Sequence, residues 1–382
     1  MKYDVIVVGG RVGGSVSSLF ASKQGLDVLM IEKRQEIGVP LQCAEATTEK
    51  TFEIMGIKPS DKYIRTPIYG ADLHSPDGTK FRMEGDNEKG FILDRKVFDK
   101  SLAIESANAG TDIMVKTTVK DLIIKDGKVS GVIAKHLGET IEIEADLVIA
   151  ADGIESNVAR MAGIHSNWSV NDICSCVQYK MTGVNTDPNY MQFYFGREVA
   201  PGGYVWVFPN DNNVTSIGIG VRSSNKTAYE YLNDFISRFN GKIVEINVGG
   251  VPVSGNIEKT YTGGLLVVGD AAGHVNPITG GGIDLTTACA KIAGLVAADA
   301  INNNDTSSKF LKAYEEQWKN EIGEMMKKSL KYRKVFDKLN DKELNVLANF
   351  MKDRDLDNIT PRSLLVLLKE SPSLFRLLKD VI

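Results

Sequence analysis

The feature that most constrains this chain is a run of β-branched residues followed at once by clustered glycines. Residues 5–8 read VIVV, and glycines occupy positions 9, 10, 13 and 14. A continuous apolar run of this kind is typical of a strand buried on both faces of a parallel sheet. Small and apolar residues then recur at helical spacing over 15–24, Gly25 ends the helix, and residues 27–31 form a second strand. The pattern predicts a βαβ unit and therefore an α/β fold.

The turn between the first strand and the helix matches most of a dinucleotide fingerprint. That fingerprint has glycine at its first, third and sixth positions and an acidic residue about 20 positions later for the ribose hydroxyls. Gly9 and Gly14 fill the first and last positions, Glu32 ends the second strand, and Arg11 takes the middle position. Free amide groups and the helix dipole would face a phosphate here, and Glu32 favours FAD or NAD over NADP. An ordinary glycine turn is the alternative.

The rest of the chain shows three further patterns. Alternating short strands over 114–151, with turn signals at 126–127 and 137–138, predict an antiparallel meander. Residues 173–253 are strand-rich with interleaved aromatics, which predicts a second, mainly antiparallel sheet. The tail from 308 to 382 is helical in pattern and interrupted near two prolines, Pro361 and Pro372.

These patterns predict three domains. The division is a discontinuous dinucleotide-binding domain over 1–165 and 255–305 with 60–100 partly inserted, a substrate-binding antiparallel sheet over 166–254, and a helical region over 306–382.

Composition excludes several classes of protein. With 45 Lys+Arg against 49 Asp+Glu, the net charge of -4 argues against a nucleic-acid binder or a polybasic membrane anchor. Apolar runs such as 364–368 are far shorter than the roughly 18 residues of a spanning helix, and 5–8 is too short for a signal peptide. Four unevenly spaced cysteines indicate a reducing compartment, so we expect a cytoplasmic protein.

Two later segments distinguish FAD from NAD. Residues 147–156 read as a buried strand ending in Ala-Asp-Gly, and residues 265–283 as a strand followed by Gly-Asp and a glycine-rich turn. With the first fingerprint, they resemble the glutathione-reductase-like FAD flavoproteins of the p-hydroxybenzoate hydroxylase type. The resemblance implies that fold and FAD as cofactor. It also implies that Asp270 bonds the ribityl chain and that the helix after Gly282 points at the flavin pyrimidine edge, where its dipole would stabilise negative charge.

Within that group the whole chain resembles the geranylgeranyl reductase family, in particular the archaeal digeranylgeranylglycerophospholipid reductases. The resemblance is carried by IEKR at 31–34, PLQCAE at 40–45, LDR at 93–95, and PGGYVWVFP at 201–209. It implies a FAD-dependent reductase that saturates isoprenoid C=C bonds of geranylgeranyl chains in membrane ether lipids or prenyl diphosphates. The chain departs from the family pattern at Arg11 and at 42–44, where Gln-Cys-Ala replaces the Arg-Cys-Gly of many members.

The fingerprint and the resemblance together imply a set of cofactor contacts. Arg95 is expected to face the phosphates, and Val119 to reach the adenine through its backbone. The expected contacts are Gly9, Gly13, Gly14, Glu32, Cys43, Ala44, Ala46, Arg95, Val119, Asp270, Gly282 and Ile283.

Three aromatic residues form the expected substrate wall. Tyr204, Trp206 and Phe208 alternate along one strand, so they face the same side of the sheet. A long prenyl chain needs such a wall, although the residues by themselves fit an ordinary core equally well. Cys174 and Cys176 also share a face, but no further ligands cluster nearby, so no metal site is expected.

The reaction needs both a proton and a hydride, because an isolated trisubstituted alkene is not polarised. We hypothesise protonation of the less substituted carbon and hydride transfer from flavin N5 to the other. Cys43 and Tyr204 are the acids that the sequence offers, although buried cysteine is most often a small hydrophobe.

Partners and competing functions stay open at this point. The electron donor is reduced ferredoxin or NAD(P)H, since no second nucleotide fingerprint is evident. The lipid substrate implies peripheral contact with a membrane surface. An aromatic-ring monooxygenase or halogenase on the same scaffold and a non-catalytic flavin or isoprenoid carrier are the alternatives.

Overall fold

In a computed structural model of the chain, the described residues are 1–84, 90–165, 168–211, 213–352 and 371. The strands, in chain order, are β1 (Lys2–Val8), β2 (Val28–Ile31), β3 (Ala46–Thr48), β4 (Ile64–Ile68), β5 (Gly70–His74), β6 (Lys80–Glu84), β7 (Gly90–Leu93), β8 (Asp112–Met114), β9 (Thr117–Lys125), β10 (Lys128–His136), β11 (Glu139–Ala150), β12 (Ile173–Thr182), β13 (Tyr190–Tyr194), β14 (Tyr204–Pro209), β15 (Val214–Val221), β16 (Lys242–Pro252), β17 (Tyr261–Thr262) and β18 (Leu265–Val267).

The α-helices alternate with these strands at first and then follow one another at the carboxyl end. They are α1 (Val12–Lys23), α2 (Glu49–Met55), α3 (Arg95–Asn108), α4 (Asn157–Met161), α5 (Ala228–Ile236), α6 (Ile283–Asn302), α7 (Ser308–Trp318), α8 (Glu324–Phe336) and α9 (Asp341–Lys352), with a π-helical turn at Lys319–Gly323 between α7 and α8. The prolines at 361 and 372 lie outside the described residues.

The first sheet has the order β17-β18-β11-β1-β2-β8. The pairs β1–β11, β1–β2, β11–β18 and β2–β8 are parallel. Val5 and Val7 of β1 join the core on one face, and Ile6 and Val8 join the core on the other. The predicted βαβ unit is therefore confirmed, and the carboxyl ends of the parallel strands meet at one edge of the sheet.

Helices α1 and α6 pack very closely on this sheet. A Cβ atom added at Gly294 of α6 would lie 2.5 Å from the carbonyl oxygen of Ser17 in α1. Only glycine permits this approach, because a larger residue would force the helices apart. The contact fixes the direction of α6, whose N-terminus lies at the same sheet edge.

The predicted meander is confirmed with one difference. β9, β10 and β11 pair antiparallel, and the turns carry positive φ at Asp126, Gly127, Leu137 and Gly138. Strand β11, however, serves two partners. Its first half pairs with β10 and its second half pairs parallel with β1, so the meander continues directly into the parallel sheet.

The second sheet is larger than the sequence predicts. Its order is β16-β12-β15-β14-β13-β5-β6, so two strands come from residues 70–84, outside the expected 166–254. The pair β13–β5 is parallel rather than antiparallel. The backbone groups on the edge of β13 that faces away from β14 need hydrogen-bond partners, and β5 supplies them. Sequence patterning cannot reveal such a long-range pairing. The division into domains stays a prediction.

A third sheet has the order β3-β7-β4. Its strand β7 contributes Phe91 and Leu93 to a core that also contains residues of the first sheet, α2 and α3, and Ile92 to the cluster of Trp206 and Phe208.

At the carboxyl end, α7 docks onto the first sheet: the Tyr314 hydroxyl donates to the carbonyl of Val267 at 2.8 Å, and the Trp318 indole donates to Thr260 at 2.9 Å. Among helices built from the described residues, none combines the length and the apolar character needed to cross a bilayer.

Candidate active site

At the edge of the parallel sheet, the turn of residues 9–14, here called the glycine cradle, accepts only glycine at two positions. A Cβ atom at Gly9 would lie 2.3 Å from the carbonyl oxygen of Ala151, and Gly9 has a φ of 109°. A Cβ atom at Gly14 would lie 1.7 Å from the carbonyl oxygen of Gly9. No side chain caps the N-terminus of α1. The helix therefore presents free amide groups and its positive dipole end at this edge, which suits a phosphate.

Arg11 and Glu32 flank the cradle. Arg11 has an ordinary φ of -86°, and its guanidinium donates to the carbonyl of Pro40, so the side chain turns away from the glycine turn. The Glu32 carboxylate accepts from the amides of Gly10 at 2.9 Å and Arg34 at 2.8 Å. The residue that replaces the middle glycine thus ties the turn to residues 40–45, here called the Cys43 loop.

Two aspartates follow the ends of β11 and β18. Burial raises the pKa of Asp152; one of its carboxylate oxygens accepts from the amide of Val158 at 2.9 Å, and the other is buried without a partner among the described residues. Burial also raises the pKa of Asp270, while the positive charges of Arg95 and Arg11 oppose the shift. Asp152 therefore keeps one acceptor oxygen without a partner among the described residues, and Asp270 lies within electrostatic reach of Arg95 and Arg11.

The N-terminus of α6 completes this edge. Gly282 precedes the helix, no side chain caps it, and a Cβ atom at Gly282 would lie 3.6 Å from a carboxylate oxygen of Asp270. A cavity here is lined by three of the expected cofactor contacts, Ala46, Gly282 and Ile283. Gly13 of α1 is a close neighbour of α6, because its Cβ position lies 3.3 Å from Thr286.

Val119 lies on the other side of the cradle, on β9. The amide of Thr117, two residues before it, donates to the carbonyl of Glu32 at 2.9 Å. Val119 pairs with Ala134 and is half-buried. The structure thus brings the expected cofactor residues from β1, β2, β9, β18 and α6 to one edge; their contacts with a cofactor stay predictions.

Cys43 lies against the guanidinium of Arg95. Its sulfur accepts hydrogen bonds from Arg95 Nη1 and from the amide of Glu45, both at 3.2 Å. The remaining guanidinium nitrogens of Arg95 form a two-point contact with Asp99 at 2.9 and 3.0 Å. Burial acts to lower the pKa of Arg95, but the Asp99 carboxylate outweighs it and holds the pKa above its ordinary value. Arg95, expected at the phosphates, thus binds Asp99 and the Cys43 thiol.

The aromatic wall adjoins the Cys43 loop. Trp206 and Phe208 are buried with Ile68 and Ile92, and the residues packed against this cluster are Ala44, Ala46, Cys176, Met191, Phe193 and Tyr204. The Phe193 ring lies 5.3 Å from that of Tyr204 and 5.4 Å from that of Phe208. Val205 and Val207 face the opposite core. The predicted alternation along β14 is therefore confirmed.

Tyr204 joins the wall to the loop that leads into α6. Its hydroxyl donates to the carbonyl of Thr279. Burial raises the pKa of Tyr204 well above its usual value, so the phenol stays neutral. Arg333 of α8 holds the same loop by donating to the carbonyl of Pro277 at 2.5 Å, and it also donates to the carbonyl of Gly202, just before β14, at 3.2 Å.

The other sulfur and imidazole groups have structural surroundings. Cys174 and Cys176 both face Gly220, as their shared strand face predicts. His274 is buried, its Nδ1 accepts from the amide of Gly269 at 3.2 Å, and burial lowers its pKa to about 3. Within the described part of the chain, no group of three or more His, Cys, Asp or Glu side chains is arranged to hold a metal ion.

Sequence reasoning missed several polar residues around the Cys43 loop. Asp284, in the first turn of α6, accepts from the hydroxyls of Thr47 at 2.6 Å, Thr48 at 2.9 Å and Thr51. Gln178 and Lys180 of β12 also contact the loop. The one available signal was a polar residue at every second position of a strand that is otherwise buried.

Comparison with known proteins agrees with this arrangement. A family model described as an FAD binding domain matches residues 2–192, and one described as the geranylgeranyl reductase catalytic domain matches residues 172–251. Digeranylgeranylglycerophospholipid reductase 2 of Methanothermobacter thermautotrophicus is 45% identical over 385 residues, which cover 100% of both chains. The chain belongs to the digeranylgeranylglycerophospholipid reductase family. The reductase of Methanocaldococcus jannaschii is 46% identical, covering 100% of this chain and 98% of its own.

Two solved structures share the fold of this family member. A geranylgeranyl bacteriochlorophyll reductase-like protein from Thermoplasma acidophilum superimposes with a TM-score of 0.92 at 35% identity, covering 100% of this chain and 99% of that one. A flavin-dependent brominase has a TM-score of 0.75 at 16% identity, covering 100% and 98%. That second likeness shows the fold alone. The predicted fold class is confirmed, and the chain is an FAD-dependent oxidoreductase.

The residues at the sheet edge fit FAD. The glycine cradle at the N-terminus of α1 suits its pyrophosphate, and the uncapped N-terminus of α6 suits the electron-rich edge of a reduced flavin. The unpartnered oxygen of Asp152 supplies an acceptor at the same edge. FAD binding would therefore satisfy groups that the polypeptide leaves free.

Proposed function

We propose that this chain saturates isoprenoid C=C bonds of geranylgeranyl chains in membrane ether lipids or prenyl diphosphates, using FAD. The observation that carries the proposal is the aromatic wall, which adjoins both the Cys43 loop and the α6 end of the FAD edge. An apolar wall that adjoins the Cys43 loop suits a substrate that offers only alkene carbons near the flavin. The names of the relatives support the same substrate class.

Reduced FAD supplies the hydride, and the chain holds the cofactor and the proton. In this proposal the cofactor contacts are the twelve residues that the sequence implies, from Gly9 to Ile283, and the wall of Tyr204, Trp206 and Phe208 holds the prenyl chain. Arg95 contributes through Cys43 as well, since its Nη1 bonds the sulfur.

Cys43 is the proposed proton donor. Two N–H groups already donate to its sulfur, so the thiol hydrogen is directed elsewhere. When the thiol gives up its proton, the Arg95 guanidinium stabilises the thiolate that forms. The proton adds to the less substituted alkene carbon, and the hydride adds to the other carbon.

Tyr204 serves in this proposal as a neutral hydrogen-bond donor. Because burial raises the pKa of Tyr204, its phenolate is unfavourable, which argues against this residue as the acid. Its hydroxyl holds the Thr279 carbonyl, and its ring holds the chain.

The substrate places the enzyme at a lipid surface, so we propose peripheral contact with the membrane. The reductant is tested by offering reduced ferredoxin and NAD(P)H to the oxidised holoenzyme separately and recording bleaching of the flavin absorbance. The donor that bleaches the flavin at the rate of steady-state turnover is the physiological class.

One assay tests the function. The bound FAD is photoreduced without oxygen, geranylgeranyl lipid is added, and flavin reoxidation is followed together with the product mass. The proposal expects reoxidation with a gain of two hydrogens per double bond. Reoxidation only after oxygen is admitted, with a hydroxylated product, would indicate a monooxygenase. No reoxidation would indicate a carrier.

A further inference from the structure

Strand β12 presents two different faces. Val177, Tyr179 and Met181 point into the apolar core that α5 covers. Gln178 and Lys180, at the alternate positions, point to the Cys43 loop instead. Burying an amide and an ammonium group is unfavourable unless each has a partner. The two polar side chains are therefore tolerated on this strand because their partners lie in the Cys43 loop.

Gln178 joins the aromatic wall to the backbone of the Cys43 loop. Its side chain is 3% exposed. The amide nitrogen donates to the carbonyl of Cys43 at 3.3 Å, and the amide oxygen accepts from the Trp206 indole at 2.8 Å. One planar group thus fixes the separation between Trp206 and Cys43.

Lys180 holds the other end of the loop through Glu45. Their side chains pair at 2.8 Å, and Glu45 is fully buried. Glu45 has a φ of 71°, an unfavourable conformation for a residue other than glycine. Its side-chain contacts help to hold it there, together with the hydrogen bond from the Leu93 amide to its carbonyl at 2.8 Å. The same residue donates its amide to the Cys43 sulfur and accepts from the amide of Arg95 at 3.2 Å. Lys180 is therefore one of the contacts that maintain the backbone geometry that positions the sulfur.

We propose that Gln178 and Lys180, here called the β12 clamp, are positioning residues that set where the Cys43 thiol stands relative to the aromatic wall. The inference rests on the proposed function, because it assigns the clamp to alkene reduction. Neither residue touches the reacting atoms in this assignment; both act through the Cys43 loop. Small displacements of a reacting group lower the rate without weakening binding.

The test compares Q178M and K180M with the wild-type holoenzyme. We expect each variant to bind FAD with unchanged absorbance and to lower the single-turnover rate of alkene reduction at least tenfold, with KM within about twofold. The second readout is alkylation of Cys43 by iodoacetamide across pH 6 to 10, read by mass spectrometry of the Cys43 peptide. K180M should shift this profile, because the Glu45 amide and Arg95 no longer hold the sulfur.

A matched control is Q192M. Gln192 also lies in the second sheet, on β13, and its amide oxygen accepts from Tyr194 at 2.7 Å away from the Cys43 loop. We expect its rate and alkylation profile to equal those of the wild type. Equal losses in Q178M and Q192M would mean that any lost amide slows the enzyme, and would overturn the clamp.

If K180M does not fold, the variant K180R still tests the role of Lys180. Arginine preserves the charge beside Glu45, so we expect at least half of the wild-type rate and the wild-type alkylation profile. A K180R protein that folds but reduces the alkene tenfold more slowly contradicts the clamp. If the wild type reduces no lipid while K180M still shifts Cys43 alkylation, the proposed function has failed and the loop-positioning role has not.

Discussion

The two sides of the candidate active site are built in different ways. The FAD side consists of four parallel strand ends with glycines and acidic residues next to them in sequence, so each part carries its own local signature. The substrate side is assembled from the Cys43 loop, α3, β12, β14 and the turn before α6, joined by single side-chain contacts. Backbone sterics determine the first side and long-range packing the second. A single substitution on the FAD side should therefore abolish FAD binding, whereas single substitutions on the substrate side should lower the rate of alkene reduction to different extents.

The largest effect should come from Gly14→Val. Its first side-chain carbon would lie 1.7 Å from the carbonyl oxygen of Gly9, a backbone atom that cannot move without breaking the cradle. We expect a colourless protein that takes up no FAD and loses more than about 4 kcal/mol of stability. FAD absorbance and urea unfolding measure both.

Gly25→Ala is the matched control for that variant. Gly25 has a φ of 86° but nothing within 4 Å of its Cβ position. We expect a cost of about 1 kcal/mol from the left-handed backbone alone and full FAD content. A yellow, stable Gly14→Val protein would contradict the steric account of the FAD side.

Cys43→Ala should lower alkene reduction by about a hundredfold while FAD stays bound, because general acids contribute factors of this order. Single-turnover reoxidation by geranylgeranyl lipid is the measurement. Cys289→Ala removes a thiol that is buried in α6 and that forms none of the hydrogen bonds of the Cys43 loop, and it should leave the rate unchanged. A Cys43→Ala rate equal to that of the wild type would remove the thiol from the mechanism.

His274 should make the FAD side sensitive to acid. Its pKa is about 3 in the folded protein and about 6.5 unfolded, so the unfolded state takes up the proton first as the pH falls. The stability due to neutral His274 is complete above pH 6.5 and declines by about 1.4 kcal/mol per unit below it.

His274→Asn keeps an acceptor for the Gly269 amide and cannot titrate. Thermal unfolding of both proteins at pH 7.5, 6.5, 5.5 and 4.5 should show the wild type losing its advantage steadily below pH 6.5. A constant difference in Tm between the two proteins over that range would show that the pKa of His274 is not lowered in the folded protein.

The smallest effect should come from Tyr204→Phe. The ring stays in the wall and only the hydrogen bond to the Thr279 carbonyl is lost, which costs about 1 kcal/mol. We expect a rate reduced severalfold, far less than for Cys43→Ala. A loss of a hundredfold or more would make Tyr204 the acid and reverse the assignment of the two groups.

The sequence predicted those elements whose cause is local. Residues 5–8 form β1 because their β-branched side chains suit a strand covered on both faces, and Gly9 and Gly14 are required by contacts within the same turn. Alternation along β14 was sufficient to place Trp206 and Phe208 on one face. The resemblance to geranylgeranyl reductases, carried by segments such as 40–45, supplied the family.

The sequence could not supply partners that lie far apart along the chain. Nothing in residues 70–84 shows that β5 would pair with β13, since an exposed strand edge accepts any strand of suitable length. Gln178 and Lys180 read as ordinary polar residues until β12 is placed against the Cys43 loop. Arg95 was expected at the phosphates, and only the fold brings its guanidinium to Cys43 and Asp99.

The amino-acid sequence alone determined the parallel sheet and the glycine cradle, because steric exclusion and side-chain periodicity act between residues a few positions apart. The choice of FAD over NAD came from the resemblance to known flavoproteins. The tertiary structure decided which thiol, guanidinium and amide meet at the aromatic wall. Those contacts join residues separated by 28 to 135 positions, and a hydrogen bond across such a distance exists only after the core has fixed both strands.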